Sequence, residues 1–171
     1  MTTGEGHDLG TVEATEFRVP RLLRAAEIQC SNGRVLRGRV FLPAAAESHA
    51  GAMRAEEWLN DPVAFFPFLP DGEGRPVILN KDQVAVMTVA ASADHDEATD
   101  LALPAKPVRV ECGGLWLEGE VVVDAPASQS RVLDLLNRPG AFLNVREGGR
   151  HHLVRKAGIT RVSEPAARPQ P

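Results

Sequence analysis

Internal duplication is the feature that most constrains what this chain can fold into. The segment Ile28-Gln29-Cys30-Ser31-Asn32-Gly33 aligns with Val110-Glu111-Cys112-Gly113-Gly114, the first copy carrying one extra residue in the turn. Both continue alike, as Leu36-x-Gly38-x-Val40 and Leu117-x-Gly119-x-Val121. Further on, Arg54-x-x-Glu57-Trp58-Leu59-Asn60-x-Pro62-x-Ala64-Phe65 matches Arg131-x-x-Asp134-Leu135-Leu136-Asn137-x-Pro139-x-Ala141-Phe142. Ile78-Leu79-Asn80-Lys81-x-x-Val84 then matches Leu153-Val154-Arg155-Lys156-x-x-Ile159. The matches keep one order with small changes of offset, as expected of a copied supersecondary unit.

The matches divide the chain into an N-terminal extension (1–22, expected to be partly disordered), repeat 1 (23–89), an acidic linker (90–105), repeat 2 (106–163) and a proline-rich tail (164–171, expected to be disordered). Within a repeat, Val108, Val110 and Cys112 alternate with Arg109 and Glu111, the period of a strand with one wet face. Gly113-Gly114 marks a tight turn, and Leu115 to Val123 continues the alternation, giving a hairpin. Ala26 to Leu42 reads the same way around Ser31-Asn32-Gly33. Gly38 and Gly119 stand mid-strand, where a missing side chain signals a bend or a close backbone approach. A short helix follows, expected from Ser130 to Asn137 in the second copy. Asn60 and Asn137 are placed to end the helices in the left-handed conformation, and Pro62 and Pro139 prevent their continuation. Two further strands and a short last one complete each unit.

The expected fold class is therefore mostly β with short helices (α+β). It consists of two tandem ββαββ(β) small-barrel repeats related by pseudo-twofold symmetry, since one unit alone is too small to bury much surface.

Composition bounds the function. A chain of 171 residues that is 43% hydrophobic and 25% charged can build a packed core. A net charge of -4 argues against wholesale electrostatic binding of nucleic acid or anionic lipid. No apolar run has membrane-spanning length and the start lacks a signal-peptide pattern, so the expectation is a cytoplasmic protein without membrane insertion.

The hairpin spacing V-x-V-x-C-x-G-x-x-L-x-G-x-V, read at Val108 to Val121, resembles the opening of Sm-like and SH3-like small β-barrels. The later D/E-x-L-N, P-x-A-F and K-x-x-I elements resemble an uncharacterised bacterial domain. The resemblance covers both copies and implies small barrels used for RNA binding, peptide binding or assembly. The closing Arg-Gly motif and base-stacking aromatic of Sm-like RNA binders have no counterpart here. Arg18-x-x-Arg21 is similar to the arginines of PilZ domains, without their D-x-S-x-x-G companion.

Several residues are candidates for function. Arg34, Arg37 and Arg39 decorate the second strand of repeat 1, while Glu118 and Glu120 hold the corresponding sites of repeat 2. Opposed outer charge points to different partners or to head-to-tail assembly, against ordinary solvated charge. Trp116, on an outer face, is an interface anchor or is covered by the other repeat. Arg54, Lys81, Arg131 and Lys156 recur in both copies. They are either local cap and turn residues or twofold-related anion sites. Cys30 and Cys112 read as core residues, with a disulfide or redox pair as the alternative. His151-His152 reads as a solvated turn and strand start, because adjacent strand residues face opposite ways and no partner Cys or His lies at ligand spacing, while Asp94-His95-Asp96 has the residue types of a metal site but reads as part of a flexible linker. No nucleophile, phosphate-loop, dinucleotide or zinc-protease motif is present. The expectation is a non-enzyme without cofactor or metal: a protein-interaction module, adaptor or subunit of a larger assembly, with a protein partner that includes self-assembly. The alternative is a regulatory protein that binds nucleic acid or a nucleotide or other anion through the arginine-rich strand faces.

Overall fold

The computed structural model describes residues 21–45, 53–91, 103–124 and 131–165; Arg18, Asp94-His95-Asp96, Ser130 and the two termini lie outside them. The first half contains β1 (Arg21–Cys30), β2 (Val35–Pro43), α1 (Ala55–Asn60), β3 (Phe65–Pro70), β4 (Val77–Asn80) and β5 (Val84–Ala90). The second contains β6 (Ala105–Cys112), β7 (Leu115–Val122), α2 (Val132–Leu136), β8 (Phe142–Glu147), β9 (Arg150–Arg155) and β10 (Ile159–Ser163). A single 3-10 turn precedes β5 and another precedes β10.

All ten strands belong to one sheet, in the order β10-β6-β7-β8-β9-β5-β1-β2-β3-β4, and every pairing is antiparallel. This corrects the expected fold class. The chain forms one open, mostly β sheet with two short helices among the described residues, not two closed ββαββ barrels. The pseudo-twofold is also overturned. β5 of the first half pairs with β9, so a twofold would also pair their counterparts, β10 with β4, whereas these two strands are the opposite ends of the sheet.

Pairing registers recur at the residues that the sequence aligns. Ile28 faces Leu36 and Met87; Val110 faces Leu117 and Val162. Phe65 faces Asn80, as Phe142 faces Arg155. A bulge interrupts β1–β5 at Gln29/Cys30 and β6–β10 at Ile159/Arg161. The turn glycines Gly33 and Gly114 take positive φ values of 84° and 80°, which L side chains resist. No non-glycine described residue has positive φ. Asn60 and Asn137 therefore do not end their helices in the left-handed conformation. Asn60 closes α1 in ordinary geometry, and its side chain is used elsewhere.

Two cores result. One gathers Ile28, Val40, Leu59, Phe66, Phe68, Val84 and Met87 with α1, and takes Phe142 and Leu153 from the second half. The other gathers Val108, Val110, Cys112, Val121 and Val145, and takes Ala85 and Val86 from the first half. Both depend on close approach at the mid-strand glycines. A β-carbon at Gly38 would overlap the Leu69 carbonyl oxygen, and one at Gly119 that of Arg146. Among the described residues no helix is long and apolar enough to cross a membrane.

Because the obstacle at Gly38 is backbone rather than a movable side chain, Gly38→Ala should lower stability by about 1–3 kcal/mol or more. A urea melt should show a reduced midpoint with an unchanged slope. A wild-type midpoint would mean that β2 and β3 are not packed this closely.

Candidate functional site

Strand β5 is hydrogen-bonded on both sides, to β1 and to β9, and side chains on both its faces are buried. Its pairing with β9 sets Val86 against Val154, Met87 against Leu153 and Thr88 against His152. Four polar contacts lock this joint. Asn60 clamps the backbone of Phe142: its Oδ1 accepts from the Phe142 N–H at 2.9 Å and its Nδ2 donates to the Phe142 carbonyl at 3.4 Å. Asn144 donates to the Glu56 carboxylate at 3.1 Å. The Arg155 guanidinium donates to the Lys81 carbonyl at 3.0 Å and to Asp82 at 2.6 Å. His152 Nδ1 lies 2.9 Å from Thr88 Oγ1, and its Nε2 lies 3.0 Å from Glu147 Oε2. His152 is thus buried and doubly bonded, which corrects its reading as a solvated strand start. With Glu27, Arg37, Asp71 and Arg150 it borders a groove of about 500 Å³.

The sheet ends at β4 and β10, which have one paired neighbour each. On the β3–β4 hairpin, Phe65 and Ile78 share a face by strand alternation and are both exposed, as are Val63 and Val77. Leu133, on α2 of the second half, is exposed as well. Reading each copy as equivalent missed these residues. The counterparts of Phe65, Val77 and Ile78, namely Phe142, His152 and Leu153, are buried at the joint, and that of Leu133, Glu56, is hydrogen-bonded across it, so only the order of strands reveals the difference.

The outer hairpin charges are less opposed than the sequence suggests. Arg37 donates to Glu27 on the neighbouring strand at 2.7 Å, and Glu118 pairs with Arg109 at 3.2 Å. Each half thus balances its own charge, with the signs exchanged between the two strands. Arg34 sits in the β1–β2 turn, while Arg39 and Glu120 are exposed on their strands. Trp116 is exposed and flanked by guanidinium groups, those of Arg109 at 4.3 Å and Arg161 at 6.0 Å from its ring centre.

The recurring basic residues serve the helices in parallel ways. Lys81 Nζ donates to the Trp58 carbonyl at 2.6 Å and the Asp61 carbonyl at 3.0 Å. Lys156 Nζ donates to Leu135 at 3.4 Å and Arg138 at 2.9 Å. These carbonyls lie at the ends of α1 and α2, where main-chain acceptors run short of helical partners, and that of Leu135 also accepts from the Arg138 N–H at 3.3 Å. Burial pushes the Lys81 amine below its usual range, with Asp61 opposing, and burial does the same to Lys156. Arg54 and Arg131 precede the helices, where their main-chain N–H groups donate to Glu57 and Asp134. Arg54 Nε is buried without a hydrogen-bond partner. Arg54 also lines a cavity of about 250 Å³ with Glu56, Asp124, Arg138, Asn144 and Arg146, which includes none of Lys81, Arg131 and Lys156.

Cys30 and Cys112 are both free thiols, Cys112 fully buried and Cys30 partly so. Burial raises both thiol pKa values, Arg34 opposing at Cys30. Among the described residues, no cluster of three or more His, Cys, Asp or Glu side chains could hold a metal ion.

Removing the Lys81 amine strands two carbonyls in a buried setting. Lys81→Met should therefore cost about 1–3 kcal/mol in a denaturant melt, and Lys156→Met less, because Lys156 is less buried. A reversed order would overturn the carbonyl-satisfying role. Native labelling with a thiol reagent should modify Cys30 well before Cys112, whose reaction should await unfolding; equal rapid labelling would contradict the core position of Cys112. Comparison with protein-family models, with curated proteins and with solved structures finds no match for this chain.

Proposed function

We propose that this chain is a non-catalytic protein-interaction module, an adaptor or subunit of a larger assembly, that binds protein by adding a strand at the edge of its sheet. The observation that supports this reading is the β3–β4 edge. A terminal strand carries unpaired backbone donors and acceptors, and its neighbourhood exposes Phe65 and Ile78 on one face and Val77 on the other. Strand addition uses such an edge, main-chain hydrogen bonds giving affinity and alternate side chains giving specificity. Most edge strands are protected by charge, by proline or by a covering segment. Pro76 stands just before β4, but the strand itself carries no charge.

A photo-reactive amino acid at position 78, with a control at exposed Arg39, tests the reading in the native extract. A discrete protein adduct is expected at 78 and not at 39. No adduct at 78 under conditions where the protein is folded would overturn it.

A further inference from the structure

We infer that the partner of the β4 edge is the β10 edge of a second copy of this chain, joined in the register of the internal β5–β9 joint. This rests on the protein-binding reading above and gives it an occupant.

The argument comes from what the joint leaves over. β9 corresponds to β4 and β5 to β10, so the internal joint uses one edge from each half. The edges it does not use, β4 and β10, are the counterparts of the two it does. Leu153 and Phe142 of the second half plug into the core of the first, where they are 1% and 3% exposed. Their counterparts Ile78 and Phe65 are 66% and 58% exposed. These are plugs without a socket. The corresponding socket, formed by Leu136, Ile159 and Val162 at the other end of the sheet, is only partly buried.

The locking contacts change in matched pairs. Asn60 and Phe142 are retained as Asn137 and Phe65. In the single chain the Asn137 amide turns back to the Leu133 carbonyl at 3.0 Å, as an amide without its cross-joint strand would. Glu56 and Asn144, which bond to each other, are replaced by Leu133 and Pro67. A polar pair becomes an apolar one on both sides at once, and Leu133 is 64% exposed. Arg155 and Asp82 become Asn80 and Ala157, so neither charge is stranded. His152, Glu147 and Thr88 become Val77, Pro70 and Ser163. The resulting register sets Arg161 against Leu79, Val162 against Ile78 and Ser163 against Val77. Pro76 and Pro165 lack N–H donors and stand at the same end of the ladder, one on each strand, just beyond Val77 and Ser163. Without the Arg155–Asp82 ion pair and the His152 contacts, this joint is weaker than the internal one and depends on concentration. Being heterologous, it produces rings if the rotation closes and fibres if it does not.

The test uses full-length chains. Wild-type protein should show a sedimentation coefficient that rises with concentration. Ile78→Lys blocks the plug and leaves the socket. Leu133→Glu blocks the socket and leaves the plug. Each alone should remain monomeric, and their equimolar mixture should give a one-to-one dimer that grows no further. Both substitutions are at exposed sites, so folding is checked simply by the melt. A trap gives a second readout: separately purified Val77→Cys and Ser163→Cys chains, mixed under mild oxidation, should form a disulfide dimer. Ile78→Cys with Ser163→Cys should do so at least ~10-fold more slowly, since adjacent strand residues face opposite ways. A monomeric wild type with no in-register trap overturns the inference. If position 78 then cross-links to a different protein, the interaction reading survives with another partner; if it cross-links to nothing, both fail.

Discussion

The pairing of β5 with β9 holds this structure together. Val84 and Met87 of β5 belong to one core and Ala85 and Val86 to the other. From the other side, β9 contributes Leu153 to the first core and Val154 to the second. Neither half encloses its own apolar residues, and each is completed by strands borrowed from the other. A unit of this size is marginal alone because it buries too little of its chain. The joint removes that limit by fusing two sheets into one.

The join is directional. Had the halves met about a twofold axis, the contact of β5 with β9 would have been repeated between β10 and β4, and no edge would have been left over. Here unlike edges meet, and two unlike edges are left. The polar residues at the internal joint, Asn60, Glu56, Asp82 and His152, fix which strand faces which. Hydrogen-bonded contacts of this kind tolerate misalignment poorly, whereas apolar contacts alone leave a strand freer to slip.

Much of the local structure was legible in the sequence. The hairpins of β1–β2 and β6–β7 follow from period-2 alternation around glycine turns, and Gly38 and Gly119 announced the close approach of a neighbouring strand. Closure was not legible. A barrel and an open sheet require the same apolar alternation within each unit; they differ in whether the edge strand returns to its own unit or passes to the next. That choice lies with residues the two copies do not share, such as Arg155 against Asn80 and His152 against Val77, and these drop out when the copies are aligned. His152 was misread for a related reason. In a sheet with one wet face a polar pair such as His151-His152 marks the surface, but β9 is covered on both faces by the joint. The exposed Phe65 and Ile78 were invisible for the converse reason, since alternation assigns them to a core that the first half does not provide for them.

The placement of β5 between the two cores also bears on how the protein comes apart. Pulling the halves from each other would expose Phe142 and Leu153 from one core and Ala85 and Val86 from the other in a single event, so no intermediate with one half intact is cheaply reached. The backbone amides of this central strand are therefore released to solvent only when the whole molecule opens. Two sequences that look like independent modules should therefore unfold as one cooperative body.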